Sequence, residues 1–166
     1  MIVPQNYEYA LNQERIDKHW PFLIEGTNFE FTSLRTDRPE FYDGNDYNCF
    51  SWAINKPDYW RSLGGYGFPE LKGVDDSIFD DSVQSYVTIF GQYGFSVCQE
   101  TKPEKGFVKI VLYGNDAGKW THVARQLDNG EWTSKMGDYE DIKHIDVDCV
   151  GGGSYGKPLI YMKKPL

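Results

Sequence analysis

The strongest constraint on the fold is a pair of alternating runs joined by a turn. Thr121-His122-Val123-Ala124-Arg125-Gln126-Leu127 leads into Asp128-Asn129-Gly130 and returns through Trp132-Thr133-Ser134-Lys135. Alternation on both sides of an Asn-Gly turn predicts a β-hairpin. On its first strand His122, Ala124 and Gln126 share one face, and Val123, Arg125 and Leu127 the other. A type I turn with a glycine bulge pairs Leu127 with Glu131 and sets His122 opposite Met136. Ser134 is then diagonal to His122, about 7–8 Å away at Cα. A two-residue Asn-Gly turn shifts this register by one.

Around the hairpin the chain reads as helices followed by strands. Residues 6–18 predict a first helix that Pro21 ends, and residues 22–40 read as extended or irregular. Asp46 or Asn48 can cap a short helix beginning near Cys49, which Asn55-Lys56-Pro57 closes. Residues 58–79 form a long loop suited to rim a site, with Tyr59, Trp60, Tyr66 and Phe68 as groove or packing residues. Asp80-Asp81-Ser82 offers caps for a second helix whose apolar face is Val83, Tyr86, Val87 and Phe90, stopped by Gly91 or Gly94. Strand-like runs follow at 95–98, 107–113, 121–127, 131–136 and 159–162, with Gly151-Gly152-Gly153 read as a flexible joint. Helices first and a strand meander after them argue for an α+β fold.

At 166 residues the chain is most simply a single domain over 1–166, with residues 1–40 as an N-terminal extension and 41–166 as the core. Hydrophobic residues at 40% suffice for a true core, and aromatics at 16% favour sheet. A net charge of −8 argues against nucleic acid as a partner. No stretch approaches the roughly 20 apolar residues that span a bilayer, and the start lacks the pattern of a signal peptide. These readings predict a cytoplasmic protein, or an effector exported by a signal-less route, without membrane partners. Cys49, Cys98 and Cys149 are odd in number and widely spaced, which fits reduced thiols.

Cys49 carries the chemistry that the sequence suggests. A helix N-terminus and a neighbouring imidazolium both favour thiolate, and a backbone N–H there can serve an oxyanion. His122, heading its strand, is the candidate base. The bland readings are a small buried cysteine and a hydrogen-bonded strand-end histidine. His19 and His144 occupy less suggestive positions. Asp138-Tyr139-Glu140-Asp141 with His144, or Cys49 with His122 and His144, fits no strong metal spacing, so neither metal nor cofactor is expected.

Asn48-Cys49-Phe50-Ser51-Trp52-Ala53 and the run from His122 to Gly130, preceded by Lys105-Gly106-Phe107-Val108-Lys109-Ile110-Val111, resemble the papain-like superfamily of NlpC-type cysteine hydrolases. More narrowly, they resemble a group of bacterial proteins with Asn-Cys-Phe-Ala-Trp-Ala and Thr-His-Ala-Ala-Arg-Gln-Leu motifs. The resemblance implies a papain-like fold, N-terminal helices packed on an antiparallel sheet, with Cys49 as nucleophile and His122 as base and then acid. The third family position falls at Ser134, where the family usually has His, Asn, Gln or an acid; Asp138 or Asp141 could substitute. Tyr47, Asn48, Trp52 and Gln126 are the candidate oxyanion or substrate contacts. The implied activity is thioester-mediated acyl transfer on an amide or isopeptide bond, as a peptidase, amidase or deamidase. Its partner would be a peptide or protein, reached at a glutamine side chain or isopeptide. The alternative is a non-catalytic interaction or immunity-type protein on the same scaffold.

Overall fold

The structure is a computed structural model that describes residues 13–31, 47–63, 67–71, 79–137 and 141–166. It is an α+β protein: a seven-stranded antiparallel sheet carries helices on its faces. The strands are β1 (Phe29–Phe31), β2 (Ser96–Cys98), β3 (Phe107–Gly114), β4 (Trp120–Gln126), β5 (Trp132–Lys135), β6 (Asp141–His144) and β7 (Lys157–Pro165). The helices are α1 (Gln13–His19), α2 (Cys49–Ala53) and α3 (Val83–Gln92), with a 3₁₀ turn at Asp148–Val150. The strand order is β1-β6-β5-β4-β3-β7-β2. Thus β3 to β6 run as a meander, and β7 returns to flank β3.

Local chemistry accounts for these elements. The Asn48 side chain accepts the Ser51 amide at 3.2 Å and so starts α2. The Ser82 hydroxyl does the same for α3 through Ser85 at 3.1 Å. Val83, Tyr86, Ile89 and Phe90 are the buried face of α3, and Gly94 takes φ 97° just past its end. The β4–β5 turn is the bulged form: the Leu127 amide donates to the Glu131 carbonyl at 2.8 Å, with Gly130 at φ 90°. Arg125 faces Thr133, and Gln126 faces Trp132.

Two layers of core sandwich the sheet. On one side α2 and α3 pack Phe50, Ala53, Tyr86, Ile89 and Phe90 against Ile110, Leu112, Val123 and Met162. Phe50 is fully buried and stacks on Phe90 with ring centroids 4.2 Å apart, with Phe68 at 4.9 Å. Phe68 therefore belongs to the core rather than to an open groove. On the other side Ile16, Trp20, Leu23 and Phe29 cover Val111, Tyr113, Ala124, Trp132, Met136 and Ile142.

Three expectations change. Residues 13–31 of the expected extension join the fold, because β1 pairs with β6 (Phe29 opposite His144) and α1 roofs the second core. Asp141–His144, around the histidine expected in a less suggestive position, is a strand that turns Ile142 and His144 toward the α1 layer. The triple glycine is a close approach rather than a flexible joint: a Cβ on Gly153 would stand 2.2 Å from the His19 carbonyl oxygen. Asp46, Tyr66, Asp138, Tyr139, Glu140 and residues 6–12 and 32–40 of the expected segments lie outside the described residues.

Candidate functional site

Strand parity decides the fate of the expected dyad. Val123 and Arg125 face α2, whereas His122 and Ala124 face α1. Cys49 lies in the α2–α3 core beside Val123, Ile110 and Leu112. His122 lies in the opposite layer, 3.9 Å from Tyr155 and parallel to it within 2°, with Tyr113 at 5.3 Å. The sheet separates the thiol from the imidazole, so the expected Cys49–His122 pairing is not assembled. The cause is the odd offset between His122 and the positions that α2 covers.

Cys49 occupies the head of α2 as expected, yet it is only 8% exposed. Burial pushes its thiol up to about 11, against the opposing effects of hydrogen bonding to the Val123 backbone and of the Lys135 charge. Cys98 is the most accessible of the three free thiols, and Cys149 is buried.

His122 and Ser134 do meet. His122 Nε2 lies 2.9 Å from Ser134 Oγ, a direct contact across the diagonal that the bulged turn predicts. A histidine not expected to act in catalysis completes the group: Ser134 Oγ lies 2.8 Å from His144 Nε2. His144 Nδ1 lies 2.7 Å from the Asp146 carbonyl oxygen. The protons follow from the ends inward. A carbonyl only accepts, so His144 carries its proton on Nδ1 and presents a lone pair at Nε2. The Ser134 hydroxyl donates to that lone pair and accepts the proton on His122 Nε2. Neutral His122 is left with a bare Nδ1, which has no hydrogen-bond partner among the described residues. Burial holds His144 down to about 4 and His122 well below its ordinary range, the latter aided by His144. Both rings are therefore neutral at physiological pH.

The face toward α2 carries a second buried polar set. Tyr47 Oη donates to Asp141 Oδ1 at 3.3 Å, and Lys135 Nζ stands 5.2 Å from the centre of the Tyr47 ring. Lys135 Nζ also donates to the Gly137 carbonyl at 2.8 Å. Trp52 Nε1 donates to Thr133 Oγ1 at 2.9 Å. Arg125 Nη1 donates to the Trp52 carbonyl at 2.9 Å and to Asn55 Oδ1 at 3.0 Å, and its guanidinium lies 4.5 Å from the centre of the Trp52 ring. Of the expected substrate contacts, Tyr47, Asn48 and Trp52 thus serve α2 and its seat. Asn48 Nδ2 also donates to the Arg61 carbonyl. Gln126 faces away from α2 and donates to the Thr101 carbonyl at 3.3 Å.

Arg61 fixes the loop that follows α2. It is 1% exposed, donates from Nη2 to Glu70 Oε2 at 2.6 Å and from Nη1 to Ser51 Oγ at 2.9 Å. The Arg61 hydrogen bonds, supported by the Tyr93 hydroxyl, hold Glu70 down at about 2. No sequence spacing announces this pair, because loop closure brings the two residues together.

Among the described residues, no group of three His, Cys, Asp or Glu side chains could hold a metal ion, and no helix is long and apolar enough to cross a membrane. No curated protein and no solved structure matches the chain. A family model matches residues 42–163, from just before the Cys49 helix to the last strand. The chain therefore belongs to the family described as a domain of unknown function, DUF7689.

Proposed function

We propose that this chain is a non-catalytic binding domain on a papain-like, NlpC-type scaffold, an interaction or immunity-type protein with a peptide or protein partner. The scaffold reading rests on element order: a cysteine-headed helix seated on an antiparallel meander, with a histidine near the head of the second meander strand. One observation carries the non-catalytic reading. The imidazole of His122 belongs to the layer under α1, while the Cys49 thiol is sealed in the layer under α2. Acyl transfer at Cys49 needs a base in contact with the thiol and an open path to the sulfur. Burial instead opposes thiolate, and the helix terminus and Lys135 do not offset it. A neutral, fully buried His122 is suited to holding Ser134 and His144 in place.

Iodoacetamide labelling of the folded protein across pH tests this reading. Cys98 labels first, and Cys49 stays unmodified at neutral pH until the chain is unfolded. Preferential labelling of Cys49 at neutral pH, slowed in His122→Ala, would overturn the proposal and restore the hydrolase.

A further inference from the structure

Below the C-terminal end of α2 the surface opens into a cleft of about 650 Å³. Its walls are Ala53, Ile54, Phe95 and Val108, and Leu127 closes one side. Most of this lining is apolar, and the size is that of a small-ligand pocket. Arg125 enters this cleft from β4 although only 9% of its surface is exposed.

Arg125 is held but not neutralised. Among the described residues its hydrogen bonds leave from Nη1, to the Trp52 carbonyl and to Asn55 Oδ1. Trp52 supports the guanidinium from one face at 4.5 Å. Among the described residues no carboxylate comes within 4.0 Å of it. Asp141 and Tyr47 act on it electrostatically without forming an ion pair. Its remaining N–H donors, at Nε and Nη2, form the fork that suits a carboxylate. Asn55, which braces it, takes a left-handed backbone at φ 59°, unusual for a non-glycine residue. At the rim Lys164 adds a second cation, and Asn129 and Gln126 add neutral polar groups, while Asp128 opposes them.

A buried cation without an ion pair is costly unless something completes it. We propose that the cleft between the end of α2 and the ends of β3, β4 and β7 binds an apolar ligand through its carboxylate, which the Arg125 fork receives. This inference supplies a ligand for the binding reading above and rests on it. The carboxylate can belong to a small free acid or to the last residue of a peptide. The apolar wall takes the body of either one.

N-acetyl-leucine, its amide analogue, and a five-residue peptide ending in a free leucine carboxylate are the probes, titrated into the ¹⁵N-labelled full chain. The carboxylate probe should shift the amide signals of Asn55, Arg125, Leu127 and Lys164. The amide should bind at least about tenfold more weakly, because it forfeits the charge-assisted pair. Arg125→Met, which keeps volume and removes the fork, should lose this discrimination while still folding; Arg125→Lys should recover part of it. The tighter of the two acids identifies the source of the carboxylate. Equal binding of acid and amide, or no shifts with either acid, would overturn the inference even if Arg125→Met does not fold. Thiol labelling of the same samples keeps the two proposals apart. Carboxylate binding together with reactive Cys49 removes only the non-catalytic reading, whereas absent binding with inert Cys49 removes only the ligand.

Discussion

The two faces of the sheet bury polar groups by opposite rules. Under α1, His122, Ser134 and His144 form a neutral chain in which each proton has one direction to point, ending on a backbone carbonyl. Under α2, Arg125, Lys135 and Asp141 bring charged side chains to the same depth as Cys49. A neutral relay demands little of its surroundings beyond geometry. Buried charges demand partners, and Arg125 meets that demand only in part. The contrast teaches why the histidine and the cysteine take the roles they do. The imidazole lies where neutral hydrogen bonding is complete except at one nitrogen, and the thiol lies where apolar packing dominates.

The faces also differ in what holds them. Phe50 anchors the α2 side, so Phe50→Ala should produce the largest loss, about 3–5 kcal/mol in a denaturant titration. A loss below about 1 kcal/mol would mean that α2 is not seated as described. The α1 side should respond to pH instead. His144 is held down at about 4, from an ordinary 6.5, by burial. Its folded pKa is depressed, so its contribution is present above the unfolded value and disappears as pH falls from about 6.5 through about 4. The loss from His144 alone is on the order of 3 kcal/mol. Thermal or chemical unfolding from pH 8 to pH 4 checks the sign, and His144→Gln should flatten that part of the curve. Glu70 adds a separate decline between about 4.5 and 2, as protonation removes its tie to Arg61. Ser134→Ala should come next at about 1–3 kcal/mol, because it leaves the His122 N–H and the His144 lone pair without the shared hydroxyl. A Ser134→Ala protein as stable as wild type would mean that the relay contributes nothing to the fold.

Much of the architecture was legible because it is encoded locally. Asn48 and Ser82 are caps by residue type, and the Asp128-Asn129-Gly130 turn sets the β4–β5 register that brings Ser134 to His122. The alternation also placed Arg125 with Val123, on the face opposite His122. Which face α2 would cover was not legible, since a helix and a strand far apart in sequence fix their contact only through tertiary packing. That single parity separates a dyad from two unrelated buried residues. His144 was hidden for a different reason. Asp141-Ile142-Lys143-His144 alternates, but three of its four residues are polar or charged, which masks a strand buried at Asp141, Ile142 and His144, and β6 is four residues long. Arg61 with Glu70, likewise, is a product of loop closure rather than of any periodic pattern.

Cys49→Ala is the smallest effect expected and the sharpest separator of the two readings. The thiol fills space among Phe50, Val123 and Leu112, so its removal leaves a void of about one sulfur atom and should cost about 1 kcal/mol. The Asn48 cap does not use the sulfur, and α2 should keep its seat on Val123 and Thr133. A binding domain that loses only this packing retains its ligand affinity, because the Arg125 cleft lies at the other end of the helix. An acyl-transfer enzyme, by contrast, loses turnover entirely when its nucleophile is removed, at unchanged fold. Stability, probe binding and turnover of a peptide substrate, compared between wild type and Cys49→Ala, therefore distinguish a thiol that packs from one that reacts. A shift of about 1 kcal/mol with unchanged carboxylate binding and no wild-type turnover to lose assigns it to packing, whereas a wild-type activity on the peptide that disappears in Cys49→Ala, with the same small shift, assigns it to chemistry.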